Sequence, residues 1–552
     1  MVIPSRKRVW IRRLFVLAYA VILTIGITWP LLTPWFYDQH ESLHYMTRLG
    51  VLAEGWASQG VHPRWSPELA AGHGYPLFNF YSPGFSYLGL LFLPLGEEWA
   101  VKSVVVVATL LGILCLYGLG RSLSGFAGGL VAATLCVTAP YTLYNIHSRG
   151  DFSEYVAFFV AAGVLWSLLH ALRRRMSWGA TLVFVTAYGA FVPIHTISSL
   201  VYSVVFALLG GAYALRKRFA ARHWVRLVGA FAVGLMLSAW YWLPALTERH
   251  LVSTHAMIDG HYVIENNFAP SISRYFVGFT RSAPIVGPVI TGALAFVLVT
   301  ACLAGRHRFQ MMACLVVCAA CILLNFPVSE PFWHNIPLVR YVQFPWRLNA
   351  LVVLFAAIGV GLGARRLPRG LRRTPLTVSA MLFAAVSVVA LGLALGKIDW
   401  TDPQPADYQA TPARWLTTSG KEEFLPRGAR REGIRLSEPL IQGAPRVLMA
   451  SQTGTSVDAV VDAPHTTTVT VRQWAYPGWH ARVDGQQVEW HADAAGRLTV
   501  TVPQGKHELH LELRRSGVQL ASEWASAVTA LLLMCGLAYT GLRRRRGQKE
   551  KA

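Results

Sequence analysis

Polar chemistry in this chain is concentrated in a few short stretches. The first runs from Tyr37 to Tyr81 and carries Asp38, His40, Glu41, His44, Arg48, Arg64, Trp65, Glu68 and His73. It lies between two long apolar segments, where polar groups are costly unless they are solvated or used. Asp38 follows Trp35-Phe36-Tyr37 at the end of the first apolar segment. Desolvation by such aromatics raises a carboxylate's pKa, which suits a general base that takes a proton from a hydroxyl at the water–lipid boundary. Asp38 also reads as a helix N-cap, with Glu41 at the N3 position of a capping box. A cap does not exclude catalysis. A helix over 39–54 places Glu41, His44, Tyr45 and Arg48 on one face. That stripe can bind a phosphate-bearing headgroup, or tie Glu41 to Arg48 on a solvated face.

Further along, Arg149, Asp151 and Glu154 stand close together in HSRGDFSE. The two acids either bind a divalent ion or position a substrate, or they cap the following helix and pair with Arg149. His195, in PIHTISSL, lies at a junction of two apolar segments, where a single histidine is more often structural than a ligand. Arg340 and Arg347, in VRYVQFPWRL, stand against the charge trend described below and need a partner. A phosphate or the carboxylates of neighbouring loops would serve. Arg64 and His73 complete the substrate-binding candidates of the first loop. His250, His255, Asp259, His261 and Glu265 crowd one loop without HExxH or CxxC spacing, so no metal ligands are assigned. Trp474, Tyr476 and Trp479 could stack on sugar rings, or fill a β core.

The elements that position these groups are membrane helices. Of 552 residues, 54% are apolar and 14% charged, against about 25% charged in soluble chains. Apolar runs of about 20 residues recur along the chain. We expect about twelve spans, near 14–34, 101–120, 125–145, 155–172, 178–194, 197–215, 225–245, 284–304, 309–327, 346–364, 375–396 and 523–542. The net charge of +22 sits mostly in short loops, around Arg121, Arg173–Arg175, Arg216–Arg218, Arg308, Arg365–Arg373 and Arg543–Arg546. With a cytoplasmic N-terminus, every one of these falls on the cytoplasmic side, and so does the C-terminus. This explains the basicity without nucleic acid, because no basic stretch is interleaved with base-stacking aromatics. The first apolar segment is too long for a cleaved signal and reads as a retained span. Residues 83–95 are too short to span and read as a half-inserted helix. All seven cysteines lie in apolar runs, where small packing residues are ordinary.

From Lys397 the composition changes. Alternating residues and turns at Pro477-Gly478, Asp484-Gly485, Ala495-Gly496 and Gln504-Gly505 predict a β-sandwich facing outward before the last helix. The expected division is 1–396, a transmembrane domain with a first outer loop at 35–100; 397–522, an outer β-rich domain; and 523–552, a last helix with a basic tail.

No GxxxxGK[ST], GxSxG or GxGxxG is present, which argues against a nucleotide-driven pump. Asp38 outside the first span, a long first outer loop, the acidic Asp151/Glu154 loop and an outer terminal domain together resemble the GT-C superfamily of integral-membrane glycosyltransferases. Asp38…His44…Arg48, then PRW at 63–65 and GHGYPLFNFYSP at 72–83, resembles bacterial membrane proteins related to 6-pyruvoyl-tetrahydropterin synthase. YPGWHARVDGQQV and VPQGKHELHLEL resemble the outer domain of a GT-C-like group. The GT-C resemblance implies inverting sugar transfer from a polyprenyl-phosphate donor to a glycan, lipid or protein acceptor at the outer face of a bacterial cytoplasmic membrane, with Asp38 as base. Asp38 is followed by Gln39, where the GT-C pattern often has a second acid. No cofactor motif accompanies the lipid-linked donor, and a divalent metal stays open. Two other classes fit the composition: a flippase for lipid-linked glycans, which requires charge inside the spans, and a non-catalytic envelope-assembly protein.

Overall fold

The computed structural model describes residues 6–37, 41–269, 271–277, 285–303, 305, 307–365, 400–401, 404, 423–430, 438–443 and 446–549. Six helical segments among them are long and apolar enough to cross a membrane: Val9–Leu32, Glu97–Thr138, Phe152–Arg173, Thr196–Arg216, Pro345–Ala364 and Gly517–Tyr539. Two bent pairs raise this to eight, and Trp178–Phe191 and Gly287–Cys302 are shorter apolar helices. Glu97–Thr138 is not one rod. Gly125 takes φ +87° within it, and a Cβ on Gly120 would lie 2.9 Å from the Gly128 carbonyl oxygen. Residues eight apart on a straight helix are about 12 Å apart, so the chain reverses at Gly125, beside the expected Arg121 loop. The expected count of twelve is not established among the described residues. The eleventh span, 375–396, lies outside them, and the seventh is broken.

Pro345–Ala364 is buried over nearly its whole length, as a helix apolar on every side must be at the centre of a bundle. The last helix is peripheral and exposes Trp524, Leu531 and Leu532. The basic loops gather at one end of the bundle. Arg12 lies over the Phe126 ring and Arg216 over Phe309. Arg365 donates to the Leu123 carbonyl, and Arg226 to that of Met176. At the other end, β1 (Phe36–Tyr37) pairs antiparallel with β2 (Trp400–Thr401). Residues 365 and 400 thus lie at opposite ends of the bundle.

The break in the seventh span has a physical cause. Ala221–Leu237 and Ala239–Thr247 meet at 80°. At the break, Trp240 N donates to Ser526 Oγ at 2.9 Å, and Ser526 Oγ donates to the Met236 carbonyl at 2.9 Å. One hydroxyl from the last helix therefore satisfies two backbone groups that the bend frees, as an apolar setting demands. Gln519, Glu523 and Ser526 form a polar stripe one helical face wide. Gln519 Nε2 donates to Glu248 at 2.9 Å, and Glu523 accepts from Arg64 at 2.9 Å.

The C-terminal strands are β3 (Ile441–Gln442), β4 (Arg446–Thr453), β5 (Ser456–Ala463), β6 (Thr467–Trp474), β7 (Trp479–Val483), β8 (Gln486–Val488), β9 (Trp490–Ala492), β10 (Arg497–Val502) and β11 (Gly505–Leu513). They form two antiparallel sheets, β3-β6-β10-β9 and β4-β5-β11-β7-β8. Alternate residues of both, such as Val457 and Leu511 on one sheet and Val471 and Val500 on the other, share one core, so the sheets pack as a sandwich. Most of 402–437 lies outside the described residues. Trp474, Tyr476 and Trp479 are buried in this core, which makes them core aromatics rather than an open sugar platform. The loop after the first long helix docks on them. Trp65 packs against Tyr476 and Trp479 with ring centroids 5.4 and 6.0 Å apart. Gly74, at φ +83°, admits no side chain, because a Cβ would lie 2.3 Å from the Trp65 ring.

Ser526→Ala strands two buried backbone groups, each worth about 1–3 kcal/mol. A drop in Tm of several degrees in detergent is expected, whereas the exposed Ser58→Ala should leave it unchanged. Equal melting of both variants would show that the bend does not depend on Ser526.

Candidate functional site

Three elements meet at the end of the bundle opposite the basic loops. The first is the start of Phe152–Arg173. Gly150 takes the left-handed conformation, and Asp151 caps the helix by accepting from Glu154 N at 3.0 Å. The second is the turn that leads into the central helix and carries Arg347. The third is the first-loop helix Ser42–Gln59. Tyr45 binds it to the first, donating its hydroxyl to Asp151 Oδ1 at 2.8 Å and accepting from Ser153 N at 2.9 Å.

The charges at this junction are buried and paired. Arg149 Nη1 lies 2.7 Å from Glu154 Oε2, and its Nη2 lies 2.9 Å from Asp151 Oδ2. Arg347 Nε donates to Glu154 Oε2 at 3.0 Å, and its Nη2 stands 4.0 Å from Asp151. Tyr141 donates to Glu154 Oε1, and Asn145 Nδ2 donates to it at 3.2 Å. A tight turn forms the socket for Arg347. Phe344 N donates to the Val342 carbonyl at 2.7 Å, with Gln343 between them at φ +65° and ψ −49°. A γ-turn of this hand costs about 1–3 kcal/mol at a residue other than glycine. In return, the Val342 carbonyl and Gln343 Oε1 accept from Arg347 Nη1 at 2.9 and 3.1 Å.

Glu41, His44 and Arg48 join this cluster. Arg48 is buried, donates to the Tyr81 hydroxyl at 2.6 Å and lies 3.6 Å from Glu41. The first-loop helix starts at Ser42, with Glu41 at the N-cap and no side-chain cap bond. Glu41 thus stands at the N-cap rather than at the expected N3 position, and its carboxylate faces Arg48. His195 caps Thr196–Arg216. Its Nδ1 accepts from Ser198 N, which leaves Nε2–H toward Asp151 Oδ2 at 4.0 Å. Asp38 lies outside the described residues.

The environment sets the charge states. Burial first, and then the Asp151 charge, raise the Glu41 carboxyl. Burial, with help from Arg48, lowers His44 to about 3. Burial outweighs the nearby carboxylates and lowers His195 to about 4. Both imidazoles are neutral at neutral pH. Burial also opposes the charges of Asp151 and Arg149, but their mutual attraction prevails and holds both ionised. Asp151, Glu154 and His195 bring ligand atoms within 4.8 Å of one another. That set suits a divalent ion chemically, yet both carboxylates already face arginines, which a cation would have to displace.

A cavity of about 920 Å³ opens beside the cluster. Glu41, His44, Arg48, Arg149, Asp151, His195 and Arg347 line one part; Val192, Ile197, Leu200, Val204, Leu235 and Leu246 line another. Glu154 stands behind the wall. Leu200, Val204 and Leu246 are 42%, 54% and 43% exposed on apolar helices, so the aliphatic wall opens to the side of the bundle. The bend at Ser238 supplies Tyr241, Trp242 and Leu246 to it.

Three expected site residues lie elsewhere. Arg64 is buried among Glu523, Asn79 and the Trp240 carbonyl, where it anchors the last helix. His73 stacks on Trp474 and faces Glu438 at 3.5 Å, at the seam with the sandwich. Arg340 is exposed beside Tyr341, outside the cavity lining. Tyr81, Tyr141, Arg249, Gln343 and Glu423 were not expected. Only Arg249, a cation away from the basic loops, carried a readable signal.

These features define a membrane protein of many helices, with a charged cavity at one end of the bundle. The family model of the 6-pyruvoyl-tetrahydropterin synthase related domain, a membrane protein, matches residues 78–397. The chain belongs to that family. No curated protein matches it in sequence. Among solved structures, arabinofuranosyltransferase AftD from Mycobacteria aligns with TM-score 0.48 and 16% identity over 73% of this chain and 28% of its own. ArnT from Cupriavidus metallidurans, bound to undecaprenyl phosphate, aligns with TM-score 0.41 and 15% identity over 68% of this chain and 64% of its own. The Archaeoglobus fulgidus oligosaccharyltransferase aligns with TM-score 0.39 and 15% identity over 72% and 53%. The chain thus spans less than two thirds of each.

The lowered imidazoles make stability depend on pH. Between about 4 and 6.5 the unfolded chain binds more protons at His44 and His195 than the folded one, so stability falls as pH drops through that window. Tm in detergent should decline across it, and His195→Gln should flatten part of the decline. An identical slope in the variant would remove His195 as a source.

Proposed function

We propose that this chain is a GT-C-type glycosyltransferase that moves a sugar from a polyprenyl phosphate to an acceptor hydroxyl. The site would face outward from a bacterial cytoplasmic membrane, with both termini cytoplasmic and the basic loops inside. The observation that carries this reading is the single cavity whose one wall is charged and whose other is aliphatic and open to the lipid side. A polyprenyl-phosphate sugar has that same division, and a wide lateral opening admits it without leaving the bilayer.

The reaction needs few parts. The acceptor oxygen attacks the anomeric carbon, the bond from that carbon to the phosphate oxygen breaks, and polyprenyl phosphate leaves with the electron pair. The hydroxyl proton passes to a carboxylate base. Asp38 is the proposed base. Its described neighbours support this, since the Phe36 ring packs on Phe152 and Glu41 lines the cavity. Phosphate recognition falls to guanidinium groups. Arg48, Arg149 and Arg347 already face carboxylates. Arg249 also lines the cavity, is exposed and has no ion pair among the described residues. It is therefore the cation free to meet an incoming phosphate, while Arg347 and Arg149 stabilise the leaving charge. A metal is not required for this balance.

Membranes supplied with a panel of radiolabelled polyprenyl-phosphate sugars and host acceptors test the reading. Transfer by wild type should fall about 10²–10⁴-fold in Asp38→Asn, the usual worth of a general base. No transfer by folded wild type from any donor would overturn the enzyme assignment. Arg249→Ala should raise the donor KM about tenfold or more with little change in kcat, the signature of lost ground-state binding. Excess EDTA should leave the rate unchanged; a loss restored by one divalent ion would assign the Asp151/Glu154/His195 trio to a metal instead.

A further inference from the structure

One side of the cavity has no part in the chemistry above. Glu423 lines it, and its Oε2 is buried with no hydrogen-bond partner among the described residues. Such an oxygen is costly until a donor reaches it. The backbone around it is firmly held. Phe424 N donates to the Tyr75 hydroxyl at 3.0 Å, and the Phe424 ring stacks on Phe80 at 5.7 Å. Ser253 N donates to the Leu425 carbonyl at 3.0 Å, and Arg427 N to that of Leu251 at 2.8 Å. The segment that leads into the sandwich therefore presents a carboxylate to a cavity built by the membrane helices.

Tyr262, Asn266 and Gln343 line the same cavity. Tyr262 packs edge-on against Phe344 at 5.8 Å, and Gln343 Nε2 donates to the Met257 carbonyl at 2.8 Å, which joins these loops. Tyr262 lies in the field of Glu423 and Glu41, opposed by that of Arg347 and Arg149. Glu423, Asn266 and Tyr262 offer a carboxylate, an amide and a phenol with its ring, while Gln343, whose Oε1 accepts from Arg347, marks the border with the arginine side. Hydroxyl groups and the C–H face of a sugar ring match that set. An anion does not, because Glu423 would repel it.

We propose that this wall is an acceptor subsite for a neutral saccharide, with Glu423 as the positioning residue that accepts its hydroxyl hydrogens. The inference rests on the glycosyltransfer reading. It also assigns the two walls opposite preferences, with phosphate on the arginine side and uncharged sugar on the Glu423 side.

Full-length protein in nanodiscs is titrated with undecaprenyl phosphate, with a panel of neutral methyl glycosides and with methyl glucuronide, and binding is read by tryptophan fluorescence. Wild type should bind at least one neutral glycoside and prefer it to the glucuronide. Glu423→Gln should weaken glycoside binding about tenfold or more, the worth of one charge-assisted hydrogen bond, and leave undecaprenyl phosphate within about twofold. Arg249→Ala should do the reverse. Melting curves of each variant exclude misfolding. Unchanged glycoside affinity in Glu423→Gln, preference for the glucuronide, or no glycoside binding by wild type would overturn the subsite. Failure of undecaprenyl phosphate alone, with Glu423-dependent glycoside binding intact, would instead strike the lipid-donor reading and leave the subsite standing.

Discussion

The buried ion cluster of Arg149 and Arg347 with Asp151 and Glu154 sets the terms for everything around it. Four charges in a mostly apolar bundle are tolerable only as pairs, and removing one partner of such a pair costs about 3–5 kcal/mol. The two acids come from one helix start, where Asp151 also serves as the cap. Arg347 comes from the start of the central helix, nearly two hundred residues later. The cluster therefore fixes the axial position of one helix against another. Tyr45 extends the constraint to the first outer loop through Asp151 and Ser153. The strained turn at Gln343 is intelligible in this light, since without it Arg347 would lose two acceptors.

The last helix solves a different problem. Its outer side is apolar and exposed, so little hydrophobic gain holds it to the bundle in a membrane. Polar contacts do that work: Glu523 to Arg64, Gln519 to Glu248, and Ser526 to the broken backbone at Trp240. The same contacts permit the 80° bend, and the bend gives the cavity its aliphatic wall. A charged wall held by ion pairs and an aliphatic wall held by a bent helix thus meet in one volume. Its contents face groups of opposite character at either end.

How much of this the sequence discloses depends on the range of the interaction. His44 and Arg48 converge because helical period brings them to one face, and Glu41 joins them from the N-cap just before the helix, which are local rules. Asp151 and Glu154 are a local cap as well. Glu41 sits one residue before the helix rather than at N3, and its carboxylate faces Arg48, farther along the same helix. Arg64 and His73 are misplaced for the opposite reason. Their acids, Glu523 and Glu438, stand hundreds of residues away, so their pairing has no local signature. The alternation of basic loops predicts one basic end of the bundle correctly, since loop charge is additive and needs no packing detail. The break at Ser238 is invisible for the same reason that Ser526 is: each makes sense only beside the other. Glu423 is hidden twice, in a stretch without periodicity and in a contact between remote segments.

The arginines at the site end are exceptions to the charge rule that governs the rest of the chain, and they show what an exception needs. A cation there must find a buried carboxylate or a ligand. Arg64, Arg149 and Arg347 find carboxylates, and each is buried. Arg340 has no carboxylate partner among the described residues and is exposed beside Tyr341, outside the cavity lining. Arg249 is exposed too, yet it lines the cavity next to lipid-facing leucines. Exposure alone does not separate these last two residues; position relative to the cavity does. A guanidinium that opens onto a volume shared with aliphatic side chains is placed for an amphiphile with an anionic head, whereas one that opens onto water is placed for nothing in particular. The same reasoning runs in reverse for Glu423, an acid whose Oε2 has no partner among the described residues, in a cavity already rich in arginines. Had that cavity evolved only to hold a phosphate, a carboxylate within it would oppose the task. Its presence makes sense when the cavity holds two partners, one charged and one not.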